Sequence, residues 1–206
     1  MKVLLINGSP HEKGCTYTAL SLIAGELKAQ GIETEILHVG GQPVGGCIGC
    51  GGCRSGNGCV FGGVVNEAIE KAKTADAFVF GSPVHYASAA GNMASFMDRL
   101  AYAGGKYLAY KPAAICCSAR RAGTTSTLDQ LVKYPQFFHM PLVNGSYWAM
   151  VHGSNHEQVL QDAEGCAVMQ VLGRNMAWLL RCIEAGKAAG INHPQNPPRP
   201  MTSFIR

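Results

Sequence analysis

Five strand-length apolar runs alternate with amphipathic stretches of helix length along this chain, and that alternation leaves few ways to fold. Residues 2–7 gather Val3, Leu4, Leu5 and Ile6 and stop at Gly8-Ser9-Pro10, the pattern of a strand buried on both faces. Residues 16–30 then carry Leu20, Ile23, Ala24 and Leu27 at helical spacing, with Gly31 placed to end the helix in a left-handed C′ position. Further strands are expected over residues 33–38, 77–81 and 113–117, and a last one from residues 141–143 with 147–151. Helices are expected over residues 64–74, 90–103, 125–134 and 162–188. Strand–helix alternation implies right-handed crossovers and a parallel sheet. Five such units in 206 residues predict an α/β three-layer sandwich, a five-stranded parallel sheet of order 2-1-3-4-5 with helices on both faces. One domain is expected over residues 1–190, with a Gly/Cys-rich loop at 40–63. The Pro-rich tail at 191–206 cannot be helical.

Composition narrows the function classes. A chain 47% hydrophobic and only 15% charged is neither disordered nor a solvated coiled coil. Lys and Arg number 17 against 13 Asp and Glu, a net +4 with no basic stripe, so no nucleic-acid partner is expected. No apolar run approaches the ~18–20 residues of a membrane span, and the opening run is too short for a signal peptide. A cytoplasmic chain with no membrane partner is the expectation. Four of the nine cysteines (Cys47, Cys50, Cys53, Cys59) are bunched, which points to metal or redox chemistry before a disulfide scaffold.

In a doubly wound sheet ligands bind beyond the carboxyl ends of the strands. Three loops lie there. The first, residues 8–18, joins a strand to a helix and carries glycines, Ser9, Thr16 and Thr18; free amides at a helix start with nearby hydroxyls suit a phosphate. Ser9 and Thr16 equally suit plain capping. Neither G-x-x-x-x-G-K-[ST] nor G-x-G-x-x-G occurs. The second, residues 81–88, offers the stiff turn of Pro83 and the aromatic Tyr86 to a flat ring. His85 is a candidate base there, or simply a hydrogen-bonding residue at a strand end. The third, residues 118–125, brings Arg120 and Arg121 to meet a phosphate or a developing negative charge on a ring, or to serve as surface charge. No Ser/His/Asp set or carboxylate pair accompanies them, so such a site holds a cofactor that carries the reaction.

The segments K-V-L-L-I-N-G-S-P at residues 2–10, F-G-S-P-V-H-Y at 80–86, F-M-D-R-L at 96–100 and residues 118–123 resemble the flavodoxin-like NAD(P)H-dependent FMN reductases, a family that includes the iron–sulfur flavoproteins. The resemblance covers about residues 1–150. It implies that Ser9, His11, Thr16, Tyr17 and Thr18 surround the FMN phosphate. Pro83, Val84, His85 and Tyr86 would line the isoalloxazine, and Ser118, Arg120 and Gly123 its far edge. Cys15 stands where the family usually has Asn, and His11 where Arg is frequent. The implied reaction takes hydride from NAD(P)H and passes electrons to a small acceptor such as a flavin, quinone, or nitro or azo aromatic. A homodimer or homotetramer is implied as well. An electron carrier that ignores NAD(P)H, and a binding module that has lost its cofactor, are the other classes.

The spacing C-x₂-C-x₂-C-x₅-C of Cys47, Cys50, Cys53 and Cys59 sits among eleven glycines between Gly40 and Gly63. Thiolate sets select zinc or iron–sulfur, and three cysteines at two-residue intervals favour a [4Fe–4S] cluster over zinc. Related reductases share the motif without a cluster, so thiols that are free or paired by oxidation are the alternative. Cys116 and Cys117 read as packing residues.

Overall fold

In the computed structural model, which describes residues 1–197 and 200–202, the chain forms the expected sandwich. Strands β1 (Lys2–Asn7), β2 (Glu33–His38), β3 (Ala77–His85), β5 (Ala113–Ala119) and β6 (Met150–His152) pair in parallel in the order β2-β1-β3-β5-β6. The apolar runs had to be continuous because each strand is covered twice. Val3, Leu5, Ala77, Val79, Ala114 and Cys116 face one core layer, against α1 (Cys15–Ala29) and α6 (Ala163–Ala188). Leu4, Ile6, Phe78, Phe80, Ala113 and Ile115 face the other, against α2 (Val64–Thr74), α3 (Gly91–Gly104) and α4 (Thr124–Phe137). The period-two alternation of a strand assigns each residue to its layer. Gly31 closes α1 at φ +75°, donating to Lys28 O at 2.9 Å. Gly173 lets α6 lie directly on α1: a Cβ there would sit 2.8 Å from Ile23 O.

Three expectations need correction. The sheet has a sixth strand, the two-residue β4 (Ser88–Ala89), which pairs antiparallel with the end of β3 because β3 runs on to His85 instead of stopping at Gly81. The last strand is split. Leu142 bridges Ala113 and Met150 pairs with Cys117, so the chain between them loops out of the sheet. Gly145 leads that detour, its Cα packed so closely on α6 that a Cβ would meet Val168 O at 2.7 Å. The final helix starts one residue later, after a separate α5 (His156–Gln161). Asp162 breaks the two helices apart, accepting from His152 N at 2.7 Å and Gly165 N at 2.9 Å. Beyond α6, residues 191–197 and 200–202 hold no helix or strand; the remainder of the Pro-rich tail lies outside the described residues. Among the described residues no helix is long and apolar enough to cross a membrane.

Candidate cofactor site and cysteine cavity

The loop after β1 is organised by a buried asparagine. Asn7 is the last residue of β1 and wholly buried; its Oδ1 accepts from Ser9 N (3.1 Å) and its Nδ2 donates to Glu12 O (2.9 Å). Ser9 Oγ accepts from His11 N at 3.1 Å, which leaves the hydroxyl proton free to donate. His38, at the end of the adjacent β2, holds Ser9 O at 2.7 Å through Nε2. Helix α1 then begins at Cys15 with no side-chain cap on its N-terminal amides and no acidic residue in its first turn. Asn155 and Asp162 cap α5 and α6, whereas α2, α3 and α4 start, like α1, without a side-chain cap. An uncapped first turn leaves amides and the positive end of the helix dipole available to an anion.

Ser118, at the end of β5, reaches across β3's carboxyl end to this turn: its Oγ lies 2.8 Å from Thr16 Oγ1, and both residues are buried. Two hydroxyl protons share one mutual hydrogen bond, so the second is free to point outward. A cavity of about 160 Å³ opens here, lined by Ser9, His11, Thr16, Ser118 and Arg120, with Pro83, Val84 and His85 forming one wall. Its side chains supply hydroxyls, two imidazoles and one guanidinium, and no carboxylate. The hollow exceeds a water's ~30 Å³ and falls short of the ~300 Å³ of a pocket for a drug-sized ligand. It therefore fits a phosphate with a polyol chain, and leaves a fused ring at the rim. The donor set fits FMN.

Of the residues singled out in the sequence, the fold gathers Ser9, His11, Thr16, Pro83, Val84, His85, Ser118 and Arg120 around this cavity. Others stand apart. Thr18 turns away, its Oγ1 donating to Gly14 O (3.1 Å) and facing His156 Nδ1 (2.8 Å). Tyr17 lines a different hollow with Lys13 and Lys28. Arg121 is exposed outside the lining, and Tyr86 is fully exposed beyond it. Gly123 acts one layer back: at φ +94° it lets α4 approach the β3–β4 turn so closely that a Cβ would lie 2.6 Å from Ala87 Cα. Cys15, Gly153 and Ser154 also line the cavity and were not singled out as lining residues. Gly153 and Ser154 follow β6, in a loop that carries no motif of its own. Cys15 places its thiol 3.4 Å from Gly153 O, and burial raises its pKa.

The glycine-rich loop forms a second cavity of about 340 Å³ next to α3. Cys47, Cys50, Cys53 and Cys59 all line it, together with Arg99 and Tyr102. A 3-10 turn at Gly52–Ser55 sits between Gly51 (φ +72°) and Gly56 (φ +84°), positions that residues with a Cβ rarely adopt. Asn66 pins Cys59 by accepting from its N at 2.8 Å and donating to its O at 3.1 Å. Arg99 is 6% exposed; its Nε donates to Cys59 Sγ at 3.2 Å and its Nη2 to Gly62 O at 3.1 Å. All nine thiols are free. The donor chemistry is that of a thiolate site. Among the described residues, however, no three Cys, His, Asp or Glu side chains are grouped so as to hold a metal ion. The loop thus presents thiols to one cavity without forming a ligand cage.

The NADPH-dependent FMN reductase family matches residues 1–155. Similar curated proteins include an iron–sulfur flavoprotein of Archaeoglobus fulgidus, 36% identical over 99 residues, which is 48% of each chain. One of Methanocaldococcus jannaschii is 33% identical over 99 residues, 48% of this chain and 51% of the relative. The chain spans about half the length of the curated relatives it matches. Among solved structures, RosB with a bound 8-demethyl-8-formylriboflavin-5′-phosphate intermediate superposes with a TM-score of 0.70 at 14% identity, covering 100% of this chain and 96% of RosB. The apo NADH:FMN oxidoreductase EmoB gives 0.64 at 15%, covering 86% and 89%. At such identities the likeness is one of fold. With the match over residues 1–155 it places the chain: it belongs to the NADPH-dependent FMN reductase family.

Proposed function

We propose that this protein is an FMN-dependent oxidoreductase that takes a hydride from NAD(P)H and passes electrons to a small organic acceptor, NAD(P)H + H⁺ + acceptor giving NAD(P)⁺ + reduced acceptor. The observation that carries the reading is the uncapped start of α1 facing the free hydroxyl protons of Ser9 and of the Thr16–Ser118 pair, with no carboxylate in the cavity. FMN, when bound, supplies the reversible two-electron chemistry. The chain's own work is binding and orientation. First-turn amides and hydroxyls hold the phosphate, Arg120 adds positive charge beside it, and His11 lines the same notch. The backbone at Pro83–His85 sets the rim on which a ring rests, and stiffness at Pro83 keeps that rim fixed. No strong base is required of the protein.

Anaerobic addition of NADPH to the FMN-loaded protein tests this. Bleaching of the flavin absorbance, reversed by a quinone, is the expected result. Flavin that stays oxidised under both NADPH and NADH contradicts the reductase reading.

A second reading, an iron–sulfur electron carrier, is favoured by the four thiols on one cavity and by the names of the curated relatives. Its test is iron and acid-labile sulfide in protein purified without oxygen, together with reduction by ferredoxin in place of nicotinamide.

A further inference from the structure

The β3–β4 hairpin has a conformation its sequence does not favour. Val84 pairs with Ala89 and His85 with Ser88, so Tyr86 and Ala87 form a two-residue turn, at φ +49° and +58°. Both central residues of such a turn occupy the left-handed region, which is why Asn-Gly is the preferred sequence there; Tyr-Ala is strained at both positions. Three contacts from α4 hold it. Ser126 Oγ donates to Ala87 O at 2.6 Å, and Gln130 Oε1 accepts from Ser88 Oγ (2.6 Å) and Ala89 N (2.9 Å). Gly123 closes the approach, at a distance no Cβ would allow. The product of this effort is one side chain: Tyr86 stands at the tip with its ring entirely in solvent, 106% exposed, one residue beyond His85 in the cavity wall. Strain held in place next to a binding site points to a role for the strained residue.

From this we infer that Tyr86 is the platform on which the flat ring of the second substrate stacks at the mouth of the cofactor cavity. The inference rests on the reductase reading above. Turn chemistry alone would have selected Asn or Gly at residue 86; a tyrosine supplies a rigid aromatic face of two side-chain torsions, carried on a backbone turn that the α4 contacts hold. Tyr86 belongs to no described ring pair or cation–π contact, so the face is open. It is a positioning residue that selects planar acceptors.

The test compares two acceptors with the FMN-loaded protein and NADPH: menadione, which has a ring to stack, and ferricyanide, which has none. Tyr86→Asn and Tyr86→Ala are expected to raise KM for menadione at least fivefold, leaving KM for ferricyanide and the FMN content unchanged. Tyr86→Phe should stay within twofold of wild type. Tyr86→Asn should also melt higher than wild type, because Asn tolerates the left-handed region; that shows it folds. An unchanged menadione KM in Tyr86→Asn, or equal changes for both acceptors, overturns the platform. So does a variant that loses an oligomer by light scattering while keeping its KM, since Tyr86 is then a subunit contact. A wild type that turns over neither acceptor overturns the reductase reading, and this inference with it.

Discussion

Hydroxyls and thiols illustrate how individual residues are set by their surroundings. Thr16 and Ser118 come from segments 102 positions apart, yet share one hydrogen bond and leave one proton for the cavity. Replacing Thr16 with Val and Ser118 with Ala together removes that spare donor, and a hydrogen bond to a charged group is worth ~1.5–3 kcal/mol. FMN affinity should fall by roughly tenfold or more, measured by fluorescence quenching. Either substitution alone should cost less, because the hydroxyl that remains loses its partner and can turn its own proton to the phosphate. The thiols divide by burial. Burial pushes the pKa of Cys117 up to about 12 and that of Cys116 up as well, so neither carries a thiolate at pH 8. Iodoacetamide on the native protein should label the exposed Cys182 and spare Cys116 and Cys117, read by peptide mass spectrometry. Labelling of the pair before unfolding would contradict their place in the sheet.

Elements were legible where a long pattern carried them. β1, α1, α2 and the centres of β3 and β5 followed from continuous apolar runs or helical spacing, since two covering layers demand that pattern. The parts that were not legible depend on partners distant in sequence. β4 is two residues long and exists because α4 braces it; α5 spans six residues, too few for a helical period to show. The split edge strand depends on Gly145 meeting α6. At the site, the residues of the three strand-end loops 8–18, 81–88 and 118–125 supplied most of the lining, and Gly153 and Ser154, from the loop after β6, carried no pattern that pointed to them. The opposite edge strand, β2, carries its own charge pattern. Glu35 accepts from Lys2 and Lys71, whose ammonium groups, Lys2 first, hold its carboxyl below the usual range. A depressed carboxylate stabilises fully above its unfolded value of ~4.3, and that stability drains away as pH falls through the lower folded value. Glu35→Gln should therefore unfold earlier than wild type in urea at pH 6, with the gap closing towards pH 3. A gap that widens in acid would contradict the pairing. The start of α1 gives a sharper element-scale expectation. Gly14→Asp puts a carboxylate on amides that now carry no side-chain cap. FMN affinity should drop at least tenfold while the apoprotein keeps its circular dichroism.

At the scale of the whole molecule, the cofactor notch and the cysteine cavity offer different chemistry. One is a polar notch at the carboxyl edge of the sheet, the other a thiol-lined hollow against α3. Cofactor that binds only the folded chain must raise its stability by mass action, ~2.7 kcal/mol at a hundredfold excess over Kd. For a domain of this size that is a rise in Tm of about 5–10 °C. What the notch grips decides its role. Riboflavin has the ring and ribityl chain of FMN but no phosphate, so titrating the apoprotein with each ligand isolates the contribution of the α1 amides and their hydroxyls. FMN binding at least a hundredfold tighter than riboflavin, with most of that ratio lost in Gly14→Asp, is the predicted result; equal affinity for the two flavins would contradict it.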